Sequence, residues 1–355
     1  MTWRPTIATL TGLCLALTTA PGPAGAAPAP PTPRDAANVN VHTDPLAGPP
    51  GAPPGVCLGG TGYGPPLPAG SVSATKIQSG FSFLEGPVWI ADGGYLLMSD
   101  MAAGTGPNNV QPSTIRRLTP PATFDTFIAD AGSNGLALSP DTQQIIAATH
   151  DQRSVSAYRL SDRTRSTVAA DHQGRAFNSP NDVAVRSDGV VYFTDPSFQR
   201  GNRPDQMSGR TSVFRVSGGQ VSLVDDRLRQ PNGIALSPDG STLYVGAYSE
   251  NKIYKYVVQP DGSTGARSVF VNYLGGPDGV TVDCAGNVYW ASGADGLIHV
   301  YSPAGAQLGT IRSGGTGTTN VAFGGPDRRT LYITSGRTND SGLYSVRLNV
   351  PGYPY

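Results

Sequence analysis

The chain has 355 residues, and its 25 Lys and Arg balance 25 Asp and Glu, so the formal net charge is zero. Nucleic acids and anionic membranes favour a basic surface, and the charge balance therefore argues against both as partners. Only 14% of residues are charged, while 46 are Gly and 32 are Pro. Abundant Gly between short Val-, Ile- and Tyr-rich runs is typical of an all-β protein with many tight turns.

The first 26 residues have the features of an export signal. Arg4 supplies the positive charge, residues 7–20 form an apolar core, and residues 24–26 (Ala-Gly-Ala) form an A-x-A cleavage site. That core is too short for a membrane span, and no later stretch approaches the roughly 20 apolar residues that a span needs. We therefore expect a signal peptide at 1–26 and a secreted protein, extracellular or periplasmic.

A proline-rich segment follows the predicted cleavage site. Residues 27–70 hold 12 of the 32 prolines and little apolar periodicity, which is typical of a linker or a loosely attached arm. After cleavage only Cys57 and Cys284 remain. In an oxidising compartment they either form one disulfide or stay as two unpaired thiols, and the sequence leaves both alternatives open.

The rest of the chain repeats one pattern, in which a polar residue precedes an apolar strand, a turn and a second apolar strand. The six repeats begin at Glu85, Asn134, Asn181, Asn232, Asp278 and Asn320. A period of about 40–50 residues that carries strand pairs indicates a β-propeller.

The repeat also predicts how each blade is built. In the fourth unit Ile234, Leu236, Leu243 and Val245 alternate with small or polar residues, which predicts half-buried strands joined by a Ser-Pro-Asp-Gly turn. Outer strands are predicted at 154–160, 212–216, 252–258, 297–301 and 342–348. We therefore expect a six-bladed β-propeller with four-stranded blades over 71–355, in which the six polar residues meet at one end of the central channel.

Four of these polar residues share a local setting next to Gly or Pro: Glu85, Asn181, Asn232 and Asp278. Two carboxylates and two amide carbonyls are hard oxygen donors, which suit a divalent cation and favour Ca²⁺ over Mg²⁺, Mn²⁺ or Zn²⁺. Zinc with nitrogen or sulfur ligands is disfavoured, because none of the four His forms a cluster with cysteine. Asn134 and Asn320 lack the preceding proline and are either pocket residues or blade-start turns.

The motifs resemble the gluconolactonase family, which includes senescence marker protein (regucalcin), and more distantly diisopropyl fluorophosphatase. The resemblance rests on residues 84–89 (LEGPVW), 133–140 (SNGLALSP), 178–183 (NSPNDV), 192–196 (YFTDP) and 320–327 (NVAFGGPD). It implies a propeller that holds one divalent metal in its channel, with Glu85, Asn232 and Asp278 as metal ligands. By the same resemblance Asn181 contacts metal or substrate.

The resemblance also points to substrate contacts. His150 is retained from a Cys-Glu-His-Gly motif of bacterial members and is expected to line the substrate pocket together with Asn134 and Asn181. The Glu next to that His and one Arg of a following pair are replaced here. These replacements put the usual substrate contacts of the family in doubt.

These features together predict a secreted, metal-dependent hydrolase of sugar lactones. The metal would polarise the lactone carbonyl, and Asp278 would act as general base towards water. One alternative is a phosphotriesterase-like hydrolase, because the same oxygen donors can polarise a P=O bond. Another is a non-catalytic ligand-binding propeller. We expect a small-molecule lactone as the partner and a monomer as the oligomeric state.

Overall fold

The structure is a computed structural model that describes residues 56–57, 62–315, 317–336 and 341–354. The predicted signal peptide and most of the proline-rich arm lie outside these residues. The described chain is almost entirely β, with two short 3₁₀ helices at His150–Gln152 and Tyr248–Glu250. None of the helices in this described part has the length and apolarity that a membrane crossing requires.

The described strands form six blade sheets and one separate two-stranded hairpin. Two strands precede the first repeat: β1 (Val72–Ser73) and β2 (Thr75–Phe81). The first blade contains β3 (Leu84–Ile90), β4 (Tyr95–Met101), β5 (Ser113–Thr119) and β6 (Thr123–Ile128). The second contains β7 (Leu136–Leu138), β8 (Gln144–Thr149), β9 (Ser154–Arg159) and β10 (Arg165–Ala169). A small hairpin of β11 (Asp171–His172) and β12 (Arg175–Ala176) follows.

The remaining blades repeat this order. The third contains β13 (Val183–Val185), β14 (Val191–Asp195), β15 (Ser212–Ser217) and β16 (Gln220–Asp225). The fourth contains β17 (Pro231–Leu236), β18 (Thr242–Ala247), β19 (Lys252–Val257) and β20 (Ser268–Val271). The fifth contains β21 (Pro277–Val282), β22 (Val288–Ser292), β23 (Leu297–Tyr301) and β24 (Gln307–Arg312). The sixth contains β25 (Thr318–Gly324), β26 (Thr330–Ser335) and β27 (Ser341–Arg347).

The N-terminal strands close the ring. β2 pairs antiparallel with β27 and becomes the outermost strand of the sixth blade, so both ends of the repeat region share one sheet. β1 adds to the fifth blade as a parallel partner of β24, which makes that sheet five-stranded. The six-bladed, four-stranded architecture is confirmed. The sequence did not predict the fifth strand or the β11–β12 hairpin.

The innermost strands are buried on both faces, which corrects the expectation of half-buried strands. In β17, Ile234 and Leu236 pack in one apolar cluster with Tyr192 of the third blade. Ala235 lies between them in sequence and packs in a different cluster with Trp290 of the fifth blade. Alternate residues therefore pack against different neighbouring blades, because each blade is covered on both sides.

The hairpin turns between the two inner strands lie at the opposite end of the channel from the repeat starts. In the fourth blade the Asp239 carboxylate accepts a hydrogen bond from the Ser241 amide at 3.1 Å, and Gly240 takes a φ of +67°. These are the features of a self-capped turn. The predicted Ser-Pro-Asp-Gly turn is therefore confirmed, and the Gly240 amide donates to the Ser237 carbonyl at 2.8 Å.

A disulfide joins Cys57 of the arm to Cys284, with the two Cα atoms 5.3 Å apart and 227 positions between them in sequence. The first of the two alternatives for these cysteines is thus confirmed. The arm is also held by Asn349, whose side-chain amide donates to the Leu67 carbonyl at 2.8 Å. Both contacts attach the described part of the arm close to the chain that follows the last strand.

Glycines that follow the repeat starts allow neighbouring blades to approach at the channel. A Cβ on Gly86 would overlap the Asn134 carbonyl oxygen, and one on Gly233 would overlap the Asp278 carbonyl oxygen. In the same way, a Cβ on Gly279 would overlap the side-chain amide of Asn320. Each glycine therefore admits the polar residue of the next blade, which sets how closely the six repeat starts converge.

This packing predicts that Gly233→Ala destabilises the protein by about 1–3 kcal/mol, because the methyl group meets a backbone oxygen that cannot rotate away. Gly265→Ala is the matched control, since its Cβ would have only ordinary contacts, at 3.8 Å or more. Denaturant unfolding measures both variants. Equal stabilities would contradict the close approach of the fourth and fifth blades.

Candidate metal and substrate site

The repeat starts bring three carboxylates together inside the channel. Glu85 begins the first blade, Asp278 the fifth, and Asp182 follows Asn181 at the start of the third. All three are buried. The Asn320 amide of the sixth blade donates to Glu85 Oε2 at 3.3 Å. Blades distant in sequence therefore contribute charged and polar groups to one small region.

Burial and mutual repulsion hold protons on this cluster. Desolvation, reinforced by the nearby Asp182 carboxylate, raises the pKa of Glu85 to about 8. Desolvation also raises the pKa of Asp182 to about 7. The pKa of Asp278 is raised well above its ordinary value by burial and then by the Glu85 and Asp182 charges. At neutral pH these three buried carboxyls are therefore not all fully ionised.

Asp182 is a member of this cluster that the sequence analysis missed. Its Oδ1 accepts from the Val183 amide at 2.9 Å, and its Oδ2 accepts from the Ile234 amide of the fourth blade at 3.4 Å. Both oxygens are thus engaged by backbone, so Asp182 links the third and fourth blades and adds negative charge. One signal was present in the sequence: Asp stands here where most of the repeats have Gly after the first residue.

The amides predicted as site residues lie in the same ring. Asn232 hydrogen-bonds the Asp278 carboxyl, which lowers the pKa of that group against the larger effect of burial. The backbone of Asn181 is held in place, because its backbone N–H donates to the Thr194 carbonyl at 2.9 Å. Asn134 is fixed similarly, and Ser99 Oγ donates to its carbonyl at 2.7 Å. Asn320 has a larger role than a blade-start turn, because it binds Glu85.

His150 lies above the ring, under two loops. Its Nε2 lies 2.8 Å from the Gln111 carbonyl of the β4–β5 loop, and Arg203 of the β14–β15 loop donates to its carbonyl at 2.9 Å. Burial lowers the pKa of His150 to about 4, so the ring is neutral. Asn202 donates to the Asn108 carbonyl at 2.8 Å and joins the two loops. No hydrogen bond between His150 and the carboxylate cluster forms within the described residues.

Unsatisfied polar atoms point to an additional group at the cluster. Among the described residues, Asp278 Oδ1 and Asn134 Nδ2 are buried without a hydrogen-bond partner. A buried carboxylate oxygen in this state is costly unless an ion or water satisfies it. No group of three or more His, Cys, Asp or Glu side chains in the described ranges forms a ready metal site. The predicted donor set does not need such a group, because two of its four members are amides.

The donor set fits a divalent cation on chemical grounds. Glu85 and Asp278 supply carboxylate oxygens, while Asn181 and Asn232 can supply amide oxygens, and hard cations prefer such ligands. A cation there would also offset the charge that otherwise keeps these carboxyls protonated.

Comparison with known proteins places this site in a family. Residues 83–337 match the SMP-30/Gluconolactonase/LRE-like region, a span that includes the whole candidate site. The chain belongs to this family. It is 32% identical to a gluconolactonase of Zymomonas mobilis in an alignment of 290 residues, and the match covers 73% of this chain and 78% of the relative. It is 29% identical to the pentonolactonase XacC of Haloferax volcanii over 271 residues, 73% of this chain and 83% of the relative.

Solved structures of the family agree with the fold. A gluconolactonase from Xanthomonas campestris superposes with a TM-score of 0.67 at 26% identity, over 82% of this chain and 99% of that one. The calcium-binding protein regucalcin from Agrobacterium tumefaciens has a TM-score of 0.66 at 20% identity, over 79% and 96%, and supports the fold alone. Family membership and the named relatives confirm the expected enzyme class, a hydrolase of the lactonase type.

The raised carboxyl pKa values predict how stability depends on pH when divalent cations are removed by chelation. Folded Glu85 and Asp182 titrate at about 8 and 7, whereas their unfolded pKa values lie near 4. The folded state therefore binds more protons across this window, and its stability is lost as pH rises from 4 through 8. We expect the Tm of chelated protein to fall by several degrees between pH 5.5 and 8.5.

Glu85→Gln tests the origin of this slope, because it removes one titrating group and keeps the shape. The variant is expected to have a higher Tm than the parent at pH 8.5 under chelation and a shallower pH dependence. Asp162→Asn is the control, since Asp162 is exposed in the β9–β10 turn and should leave the slope unchanged. A wild-type Tm that rises with pH through this range would contradict the cluster.

Proposed function

We propose that this protein is a secreted, divalent-cation-dependent hydrolase of sugar lactones, with Ca²⁺ as the preferred cation. The observation that carries the proposal is the buried cluster of Glu85, Asp182 and Asp278 in the channel of a gluconolactonase-family propeller. Gluconolactone is the first substrate to consider, because relatives named gluconolactonase and pentonolactonase cover most of the chain. Export rests on the signal-like residues at 1–26.

A cation at the cluster would supply Lewis acidity that polarises the lactone carbonyl and stabilises the oxyanion. Within the chain, Glu85 and Asp278 balance charge, and the Asn320 amide orients Glu85 through the hydrogen bond to Oε2. Asn181 and Asn232 fix the remaining donor positions. Because the side chains are buried, bulk water is excluded and their electrostatic effects are stronger than at the surface.

Asp278 is the proposed general base. Its Oδ1 makes no hydrogen bond to any described residue, so it is free to accept a proton. Water attacks the lactone carbonyl while Asp278 removes one of its protons. The C–O bond to the ring oxygen then breaks, and the proton passes from Asp278 to that oxygen, which gives the hydroxy acid. His150, buried and neutral beneath the two loops, and Asn134 are proposed to contact the substrate hydroxyls.

The proposal predicts hydrolysis of gluconolactone that is lost on exhaustive chelation and restored by Ca²⁺. Asp278→Asn should lower kcat by about 100-fold or more, because general-base catalysis contributes that much. Asp162→Asn, which changes an exposed carboxylate outside the channel, should retain full activity. A pH-stat assay follows acid release directly for all three proteins.

The other outcomes separate the competing functions. Activity that survives both chelation and Asp278→Asn would overturn the mechanism. Turnover of phosphotriesters without turnover of lactones would identify the phosphotriesterase-like alternative. A bound cation without turnover of either substrate class would favour a binding propeller.

A further inference from the structure

Six hairpin turns lie at the lower end of the channel, opposite the carboxylate cluster. The turn of the sixth blade differs from the others in having an arginine, Arg328, at its positive-φ position. Each turn contains a residue with a positive φ shortly before the second inner strand, and the sixth turn has a second such residue at Gly325. These residues are Gly94, Thr142, Gly189, Gly240, Gly286 and Arg328, with φ values of 64, 57, 87, 67, 80 and 52°. Left-handed backbone is unfavourable for residues with a Cβ, so glycine is the expected choice. The sixth blade places a long cationic side chain there instead.

Arg328 is buried, with only 6% of its surface exposed. It lines two cavities at once, the inner channel cavity of about 80 Å³ and a lower cavity of about 130 Å³. Val185, Leu236 and Tyr353 line both cavities with it. Arg328 therefore lies where the two cavities meet, among largely apolar neighbours.

No carboxylate or carbonyl of the described residues pairs with this guanidinium. Other cations nearby are compensated: Arg186, which also lines the lower cavity, forms an ion pair with Asp188. Asp239 faces the same cavity, but its oxygens accept hydrogen bonds from Ser237 and Ser241 of its own turn, and it lies beyond ion-pair distance of Arg328. Desolvation alone accordingly lowers the pKa of Arg328, to about 10.

A buried charge without a partner is costly, and proteins normally pair such groups with an ion of opposite sign. A guanidinium offers five N–H donors in a planar fork that matches oxyanions. The lower cavity has room for a small anion and accompanying water, since one water needs only about 10–15 Å³ of such space. A small anion in that cavity would therefore give the buried guanidinium a partner of opposite charge.

We propose that Arg328 forms an anion-binding site at the lower end of the channel, which takes a small oxyanion such as inorganic phosphate or a carboxylate. The site lies at the opposite end of the channel from Glu85 and Asp278, and it does not depend on the proposed lactonase activity. A bound anion would also stabilise the end of the chain, because the Arg328 carbonyl accepts from the Gly352 amide at 2.8 Å.

Thermal unfolding with added phosphate at constant ionic strength tests this site. For wild type we expect Tm to rise by about 2 °C or more once phosphate is in roughly tenfold excess over its dissociation constant. Arg328→Gly and Arg328→Asn should lose most of this increment, since Gly and Asn adopt left-handed backbone readily and both lack the charge. Thr142→Gly changes the equivalent turn of the second blade without altering charge, and it should keep the full increment.

A parallel series with gluconate distinguishes carboxylate from phosphate as the ligand, because only the increment that depends on Arg328 reports on this site. Equal phosphate and gluconate increments in wild type and both Arg328 variants would overturn the proposal, because they would reflect a general salt effect. So would the absence of any wild-type increment, or a lowered Tm of Arg328→Gly in anion-free buffer with unchanged increments, which would indicate a purely structural arginine.

Discussion

The close approach of the inner strands at one end of the channel is the constraint on which the site depends. Gly86, Gly233 and Gly279 leave no room for a side chain, and each admits the first polar residue of the next blade. Where the sixth blade meets the first, the side-chain amide of Asn320 donates a hydrogen bond to Glu85 and closes the ring. Because these glycines allow the blades to approach closely, the polar residues that begin the repeats form a ring.

This convergence has an energetic consequence that gives the site its chemistry. Burial raises the pKa values of Glu85, Asp182 and Asp278, and the Asp182 charge makes ionisation of Glu85 and Asp278 harder still. A fold selected for stability alone would place apolar or amide side chains there. Under the proposed function, a divalent cation would balance the charge of these carboxylates. At the opposite end of the channel, the proposed anion would balance the charge of Arg328 in the same way.

Much of the fold and of the candidate site could be predicted from the sequence, because equivalent positions of a sequence repeat take equivalent positions in the propeller. Glu85, Asn181, Asn232 and Asp278 were selected as candidate ligands from equivalent repeat positions, and the propeller followed from the strand period. Asp182 was missed because Asn181, its neighbour, already filled the repeat position. The role of Asn320 was underestimated because its partner lies 235 residues away and is reached only through ring closure.

The burial of the inner strands, the surroundings of His150 and the disulfide depend on contacts between distant parts of the chain, which a local sequence pattern does not indicate. The inner strands alternate apolar and small residues as a half-buried strand would, yet Ala235 is as buried as Ile234 because blades cover both faces. His150 was selected from a motif, but its setting is created by Gln111 and Arg203 on two long loops. The pairing of Cys57 with Cys284 stayed one of two alternatives until the fold brought them together.

Anomalous diffraction from crystals soaked in Mn²⁺ would show whether the repeat starts form the proposed divalent-cation site. We expect a single strong anomalous peak within bonding distance of the Glu85 and Asp278 carboxylates and of the Asn181 and Asn232 amide oxygens. A channel without an anomalous peak, or a peak only among the hairpin-turn aspartates at the other end, would contradict it.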